Sequence, residues 1–190
     1  MNLRTDVIGE KRRAALAARH ALDNRFRQSA SSRICDRVTR MHEFTASKSL
    51  ACYLPARHEV DPTLIIARAW RIGKQVYSPV VADHGGMEFR RLMPDTSLKR
   101  NRYGIWEPQN GPQIAPQDID IVITPVVAFD RSRHRIGMGS GYFDRCFSFL
   151  KHRRYWRRPK LAGLAFACQE VEKIIPNPWD IRLYKVITEE

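Results

Sequence analysis

The chain has 190 residues, of which 43% are hydrophobic, which is enough to bury a core and excludes disorder over the whole length. It carries 33 Lys and Arg residues against 20 Asp and Glu residues, and the resulting formal net charge of +13 favours anionic partners such as nucleic acid, an anionic membrane surface or an anionic small molecule. No apolar run approaches the roughly 20 residues of a membrane span, and the basic N-terminus lacks the apolar centre of a signal peptide, so we expect neither.

The first part of the chain predicts helices followed by a β–α–β unit. Residues 4–43 contain no proline and many helix formers, and Asp23 is placed to cap a second helix. The run SLACYLP (49–55) predicts a buried strand, and DPTLIIARAWRIG (61–73) predicts a helix with Asp61 as its N-cap. QVYSPVV (75–81) predicts the next strand, which completes the unit of a parallel sheet.

The second part predicts further strands and helices. MEFRRLM (87–93) predicts a strand and RYGIWEP (102–108) a loop, while IDIVITPVVAFD (119–130) is the most apolar run and predicts a central strand buried on both faces. The remaining predicted elements are a helix at YFDRCFSFLKHR (142–153), a strand at LAGLAFA (161–167), a short helix at QEVEKIIP (169–176) and a last short strand in the tail.

These elements predict an α/β fold, specifically a three-layer αβα domain with a mainly parallel central sheet and an N-terminal helical segment. We expect one domain over residues 1–190, made of the helical segment (1–43) and a sheet-containing body (49–190). Ligands of such folds bind beyond the carboxyl ends of the strands.

The cysteines indicate a reducing compartment. The chain has four, with neither a C-x-x-C pair nor zinc-ligand spacing. We therefore expect free thiols in a cytoplasmic protein, with Cys52, Cys146 and Cys168 in the core.

Residues 130–145, DRSRHRIGMGSGYFDR, combine glycines, arginines and a carboxylate after the most apolar strand. Glycines at 137, 139 and 141 allow backbone N–H groups to turn inward as a nest for phosphate oxygens. Arg131, Arg133 and Arg135 can supply charge, and Asp144 can hold a magnesium ion that bridges phosphates. The alternative is a flexible connection in which Asp144 only stabilises the next helix. The spacing matches neither the P-loop nor the dinucleotide fingerprint.

The segment DIVITPVVAFDRSRHRIGMGSGYFDR (120–145) resembles the 5-formyltetrahydrofolate cyclo-ligase family, also called 5,10-methenyltetrahydrofolate synthetases. YLPARHEVD (53–61), RYGIWEP, GLAFACQ (163–169) and IPNPWDIRLYKVITE (175–189) extend the resemblance over nearly the whole chain, in the family's order. It implies an ATP- and Mg²⁺-dependent ring closure without a protein nucleophile. The formyl oxygen of 5-formyltetrahydrofolate would attack the γ-phosphate, N10 would then attack the activated carbon, and 5,10-methenyltetrahydrofolate, ADP and phosphate would result.

The resemblance also implies site residues by position. The implied magnesium ligands are Asp144 and Asp180, and the implied folate contacts are Leu54, Glu59 and Tyr103. A carboxylate such as Glu59 suits the N–H donors of a pterin, and an aromatic ring such as Tyr103 can stack on a flat ring. The implied ATP-binding residues are Arg12, Arg135, Ile136, Gly137, Met138, Gly139, Ser140, Gly141, Tyr142 and Phe143.

The chain departs from the family pattern at several positions. Ile8 stands where the family has a lysine, although Lys11 and Arg13 offer compensating charge beside Arg12. Ser140 replaces a frequent glycine or lysine, and Phe143 replaces a frequent tyrosine. Tyr184 replaces a family acid, which leaves Asp180 alone on its segment.

Two other hypotheses remain open at this point. The basic run KHRRYWRRPK (151–160) would suit a nucleic-acid-binding protein. A sugar-phosphate isomerase or CoA-transferase-like enzyme would share the fold without needing ATP. With the cyclo-ligase reading we expect small-molecule partners only, namely 5-formyltetrahydrofolate and ATP, with no nucleic acid, no membrane and a monomeric state.

Overall fold

A seven-stranded sheet lies at the centre of the computed structural model, which describes residues 3–56, 58–82, 85–153 and 158–190. The strands are β1 (Ser49–Cys52), β2 (Gln75–Val81), β3 (Met87–Arg91), β4 (Leu98–Arg100), β5 (Trp106–Pro108), β6 (Gln113–Ile114), β7 (Ile121–Pro125), β8 (Ala128–Phe129), β9 (Arg135–Ile136), β10 (Lys160–Leu164) and β11 (Lys185–Ile187). The sheet order is β11-β10-β7-β1-β2-β3-β6. The strands from β11 to β2 run parallel, and only β3 pairs antiparallel with its two neighbours.

Helices cover both faces of this sheet, which confirms the predicted fold class. The α-helices are α1 (Leu3–Ala21), α2 (Asn24–Thr39), α3 (His42–Ala46), α4 (Thr63–Arg71) and α5 (Tyr142–Cys146). Side chains alternate between faces along a strand, so Leu50 of β1 packs with α2 and α4 while Ala51 packs with Phe147, which follows α5. None of the helices in the described ranges has the length and apolar character required to cross a bilayer.

Helix α1 lies outside these two layers and packs against the loops beyond the strands. Its Ala15 is buried with Val127, Ala128, Ile136 and Ile174. Ala128 belongs to β8 and Ile136 to β9, so α1 packs on the two-stranded ribbon that follows β7. The contact brings the polar side of α1 next to the glycine loop.

The most apolar run of the sequence forms two strands instead of the single strand that was predicted. β7 ends at Pro125, and the chain pairs again only at Ala128 with β9. A proline has no N–H to donate to a ladder, so pairing ends where it stands. The run therefore crosses the sheet once and then turns over its carboxyl edge.

The segments at 102–108 and 142–153 also differ from the predictions. Residues 102–108 are not all loop, because Trp106–Pro108 pairs with Leu98–Arg100 in a separate two-stranded ribbon. The helix predicted over 142–153 ends at Cys146, and a 3-10 turn follows over Ser148–Lys151.

The helix predicted over 169–176 does not form. The amide of Val171 donates to Phe129 O at 2.8 Å, and the amide of Ile174 donates to Asp130 Oδ2 at 2.9 Å. These tertiary bonds take the donors that a helix would use. A 3-10 turn over Ala167–Gln169 is the only helical structure that remains there within the described residues.

The start of helix α4 and the burial of two cysteines also differ from the predictions. Helix α4 begins at Thr63, one residue later than predicted, with Pro62 at the N-cap, although Asp61 Oδ1 still accepts a hydrogen bond from the Thr63 amide at 2.9 Å. All four cysteines are free, as expected, but Cys168 is exposed and Cys146 only half-buried. Burial raises the pKa of Cys146 to about 11, so its thiol stays protonated near neutral pH.

Candidate functional site

A cavity of about 1060 Å³ opens at the carboxyl ends of the parallel strands. The ends of β1, β2 and β7 contribute Leu54, Val81 and Pro125, and α1 contributes Arg12 and Arg19 from outside the sheet. This is the position at which parallel α/β sheets bind ligands. The volume lies at the upper limit of about 300–1,000 Å³ that is usual for one small ligand, so it offers room for two substrates.

The structure brings all the ATP-, folate- and magnesium-binding residues that the family resemblance implied to this one cavity. Residues from the N-terminal helix, the turn after β1, the β4–β5 ribbon, the glycine loop and the C-terminal segment meet there. Those residues are Arg12, Leu54, Glu59, Tyr103, Arg135, Ile136, Gly137, Met138, Gly139, Ser140, Gly141, Tyr142, Phe143, Asp144 and Asp180.

The glycine loop, residues 137–141, presents backbone donors to the cavity. Gly139 has φ +108° and Gly141 has φ +65°, a region that residues with a Cβ rarely adopt. Within the described part of the chain, the amides of residues 137–141 donate no hydrogen bond. Arg12 Nε donates to Gly137 O at 2.9 Å and Arg145 Nη1 donates to Ser140 O at 2.7 Å. The carbonyls are thus held while the amides remain available.

Asp144 joins the glycine loop to the C-terminal segment. Its Oδ1 accepts from Arg135 Nη2 at 2.7 Å and from the Ile181 amide at 3.0 Å, and Arg135 also donates to Ile181 O. The Arg135 side chain is 7% exposed and that of Asp144 is 22% exposed, so the pair is largely shielded. The charge of Arg135 is therefore already balanced by Asp144.

Asp180 follows on the same segment, within a tight turn. Its Oδ2 accepts from the Asn177 amide at 2.7 Å, and its own amide donates to Asn177 O at 3.1 Å. Among the described residues, Oδ2 of Asp144 and Oδ1 of Asp180 accept no hydrogen bond. Two carboxylates with one available oxygen each fit a magnesium ion that takes its other ligands from phosphates and water. They do not fit an all-protein cage, since the described ranges contain no group of three or more metal-ligating side chains.

Glu59 and the buried Arg19 also line the cavity. Arg19 Nη1 lies 4.0 Å from Glu59 Oε1, and the arginine side chain is 2% exposed. Burial lowers the pKa of Arg19, while the nearby Glu59 acts in the opposite direction. This arrangement provides a shielded carboxylate on the cavity wall.

Tyr103 lies at the cavity on the turn between β4 and β5. Its hydroxyl is 3.0 Å from the Tyr142 hydroxyl, to which Arg102 Nη2 also donates at 2.5 Å. The hydrogen bond with Tyr142 lowers the pKa of Tyr103. This contact connects the Tyr103 turn to the first residue of α5, beside the glycine loop.

Two of the arginines expected to supply charge point elsewhere. Arg131 is 91% exposed and pairs with Glu170, and Arg133 donates to Tyr184 O. Neither borders the cavity. Lys11, considered as compensating charge, donates to Lys173 O instead of the loop.

Sequence reasoning missed several cavity residues, among them Arg19, Arg145 and Trp179. Arg19 follows Arg12 by seven residues, which is two helical turns and therefore the same face of α1. That spacing was a usable signal. Trp179 precedes Asp180 and is 65% exposed, which is unusual for so large an apolar side chain. Residues 154–157, the middle of the basic run 151–160, lie outside the described ranges.

Comparison with known proteins gives one consistent result. A sequence profile of the 5-formyltetrahydrofolate cyclo-ligase family matches residues 2–189. The chain is 34% identical to the 5-formyltetrahydrofolate cyclo-ligase of Escherichia coli, over 90% of this chain and 93% of that protein. It is 32% identical to the enzyme of the same name from Haemophilus influenzae, over 83% of this chain and 84% of that protein. The NMR structure of Aquifex aeolicus 5,10-methenyltetrahydrofolate synthetase superposes with a TM-score of 0.82 at 30% identity, covering 97% of this chain and 90% of that one.

Proposed function

The chain belongs to the 5-formyltetrahydrofolate cyclo-ligase family and is a ligase, and from this premise we propose how its cavity works. The proposed reaction converts 5-formyltetrahydrofolate and ATP into 5,10-methenyltetrahydrofolate, ADP and phosphate, with Mg²⁺ bound beside the nucleotide. We also propose that the protein acts as a monomer in the cytoplasm.

The observation that carries this proposal is the set of available amides in the glycine loop. They border a cavity next to the guanidinium groups of Arg12 and Arg135, and they donate no hydrogen bond within the described residues. Clustered N–H donors and arginines suit phosphate oxygens, which accept several hydrogen bonds and carry negative charge. The nucleic-acid hypothesis leaves this loop without a purpose, and the isomerase and transferase hypotheses do not require ATP.

The chemistry requires positioning and charge neutralisation. The formyl oxygen attacks the γ-phosphorus, the bond to the β-phosphate oxygen breaks, and ADP leaves. N10 then attacks the activated formyl carbon, the C–O bond breaks, and phosphate carries the former formyl oxygen away as the N10 proton is lost. In-line transfer of this kind gains most from held substrates and fixed cations.

The chain's own groups divide this work. The glycine-loop amides and Arg12 hold the transferred phosphate, Glu59 accepts the N–H donors of the pterin, and Tyr103 stacks on a flat part of the folate. Asp144 and Asp180 would hold the magnesium ion through their available oxygens. When bound, the ion would neutralise phosphate charge.

The test is ATP-dependent growth of the methenyl-folate absorbance with purified protein and 5-formyltetrahydrofolate. We expect product only when both ATP and Mg²⁺ are present. Arg12→Ala should raise the KM for ATP by about tenfold, because it removes a charge-assisted hydrogen bond of roughly 1.5–3 kcal/mol. Arg131→Ala is the matched control, because Arg131 is 91% exposed and lies outside the cavity. Absence of product with the wild-type protein would refute the proposed reaction.

A further inference from the structure

Glu107 is a buried carboxylate directly behind the cavity wall. It lies on β5, is 3% exposed, and does not itself border the cavity, whereas its chain neighbours Ile105 and Trp106 do. No cation pairs with it among the described residues. A buried charge without a counter-ion is unfavourable for stability, so its presence points to another role.

Both described contacts of Glu107 use the same oxygen. Its Oε2 accepts from the Val81 amide at 3.2 Å and from Asn101 Nδ2 at 3.1 Å. Val81 is the last residue of β2, and Asn101 begins the turn between β4 and β5. The carboxylate therefore ties the β4–β5 ribbon to the end of the central sheet, and both of its partners border the cavity.

Asn101 transmits this tie to the cavity. Its Oδ1 accepts from the Tyr103 amide at 2.9 Å and from the Ile105 amide at 3.1 Å. The backbone closes the same turn, because Asn101 N donates to Ile105 O and Gly104 N donates to Asn101 O, each at 2.9 Å. The side-chain oxygen of Asn101 faces the turn and its NH₂ group faces Glu107, so residue 107 must offer an acceptor.

We propose that Glu107 is a positioning residue for the folate substrate. By accepting from Asn101, it fixes the amide around which residues 101–105 fold and so sets where the Tyr103 ring meets the substrate. The glycine loop of the nucleotide subsite is held instead by Arg12 on Gly137 O and by Arg145 on Ser140 O, contacts that use neither Glu107 nor Asn101. The inference deepens the proposed function and rests on it, because it assigns folate contact to Tyr103.

The structure supplies two informative substitutions at this position. Glu107→Gln can place its single carbonyl oxygen where Oε2 lies and keep both accepted bonds, so it should retain the wild-type KM for folate within about twofold. Glu107→Met keeps the volume but offers no acceptor. The substitution leaves the Val81 amide and the Asn101 NH₂ group without their acceptor, at a cost of about 1–3 kcal/mol for each buried donor, so thermal melting must accompany the kinetics.

Steady-state kinetics of the full chain test the proposal. With Glu107→Met we expect the KM for 5-formyltetrahydrofolate to rise by roughly tenfold or more, the loss typical of hydrogen bonds to a charged group, while the KM for ATP stays within about twofold. Glu88 is the matched control: its Oε2 also accepts two side-chain donors, from Gln113 at 2.8 Å and Arg90 at 3.4 Å, but it lies away from the cavity. Glu88→Met should leave both KM values unchanged.

The outcomes separate this proposal from the proposed function. An inactive wild-type protein would remove the proposed function, whereas an active wild type with an unchanged folate KM in Glu107→Met would overturn only the role of Glu107. A Gln variant as impaired as the Met variant would also overturn it. If thermal melting finds Glu107→Met unfolded, Asn101→Ser, whose side chain is too short to reach Glu107, carries the same expectation, and a wild-type folate KM there would equally overturn the role.

Discussion

Replacing Asp144 by asparagine separates its ion pair with Arg135 from the magnesium-binding role that we propose for this carboxylate. The amide oxygen can still accept from the Ile181 amide, but the charge opposite Arg135 is lost, and the guanidinium is only 7% exposed. A hydrogen bond to a charged group contributes about 1.5–3 kcal/mol, and partial exposure of Asp144 favours the lower part of that range. We therefore expect a loss of about 2 kcal/mol in the free energy of unfolding.

The expected loss is measurable by thermal melting of the ligand-free protein. A chain of this size loses about 2–4 °C of Tm per kcal/mol, so Asp144→Asn should melt about 4–8 °C lower. Asp180→Asn is the matched control, because asparagine can keep the hydrogen bond from the Asn177 amide and no ion pair is involved. Its free energy of unfolding should change by less than about 0.5 kcal/mol.

Magnesium titration of the activity gives the second readout. If both aspartates are ligands, each variant should raise the Mg²⁺ concentration for half-maximal rate by at least about tenfold. Even residues that only hydrogen-bond to a metal ligand typically cost about that much metal affinity when they are replaced. An Asp144→Asn variant with the wild-type Tm would refute the ion-pair argument. An unchanged kcat at saturating Mg²⁺, with an unchanged magnesium requirement, would refute the metal role of Asp144.

Two further predictions concern the folate side and the sheet. Glu59→Gln should raise the KM for 5-formyltetrahydrofolate by about tenfold and affect the KM for ATP much less, and a change in the ATP constant alone would contradict the assignment of Glu59. Gly163→Ala should lower the free energy of unfolding by about 1–3 kcal/mol in denaturant titration, because a Cβ there would lie 2.7 Å from side-chain atoms of both Val126 and Leu183. Gly9→Ala, where the nearest atom is 3.5 Å away within α1, should be neutral or stabilising, and equal losses in both variants would contradict the packing argument.

The sequence predicted the sheet well because buried parallel strands have a strong local signal. The run at 75–81 coincides with β2, and its alternate residues Val76 and Val80 are buried on both sides of Ser78. The elements that it missed depend on partners distant in the chain. Residues 169–176 have the composition of a helix, but the donors of Val171 and Ile174 are taken by Phe129 and Asp130. No local pattern encodes that competition.

The site was predictable where backbone chemistry determines it and less so where a turn redirects side chains. Glycine spacing identified the loop, because positive φ at Gly139 and Gly141 requires glycine. Arg131, Arg133 and Arg135 were all expected to supply charge, and in a fully extended segment these alternate residues would share a side. Arg133 has φ +68° in a turn closed by its amide on Asp130 O at 2.8 Å, so the alternation breaks there. Of these three arginines, Arg135 alone borders the cavity.

Two arginine contacts explain why the amides of the glycine loop stay available. In a trans peptide the C=O of one residue and the N–H of the next point in opposite directions. Arg12 fixes the Gly137 carbonyl and Arg145 fixes the Ser140 carbonyl, so the N–H groups of Met138 and Gly141 are directed away from these bonds. Arg12 uses only Nε for this contact, which leaves the two terminal nitrogens of its planar fork for a phosphate. The Arg12 guanidinium therefore shapes the loop and can also donate to a phosphate bound by the loop amides. Arg12→Lys retains the charge but not the planar fork, so this variant should bind ATP more weakly than the wild-type protein.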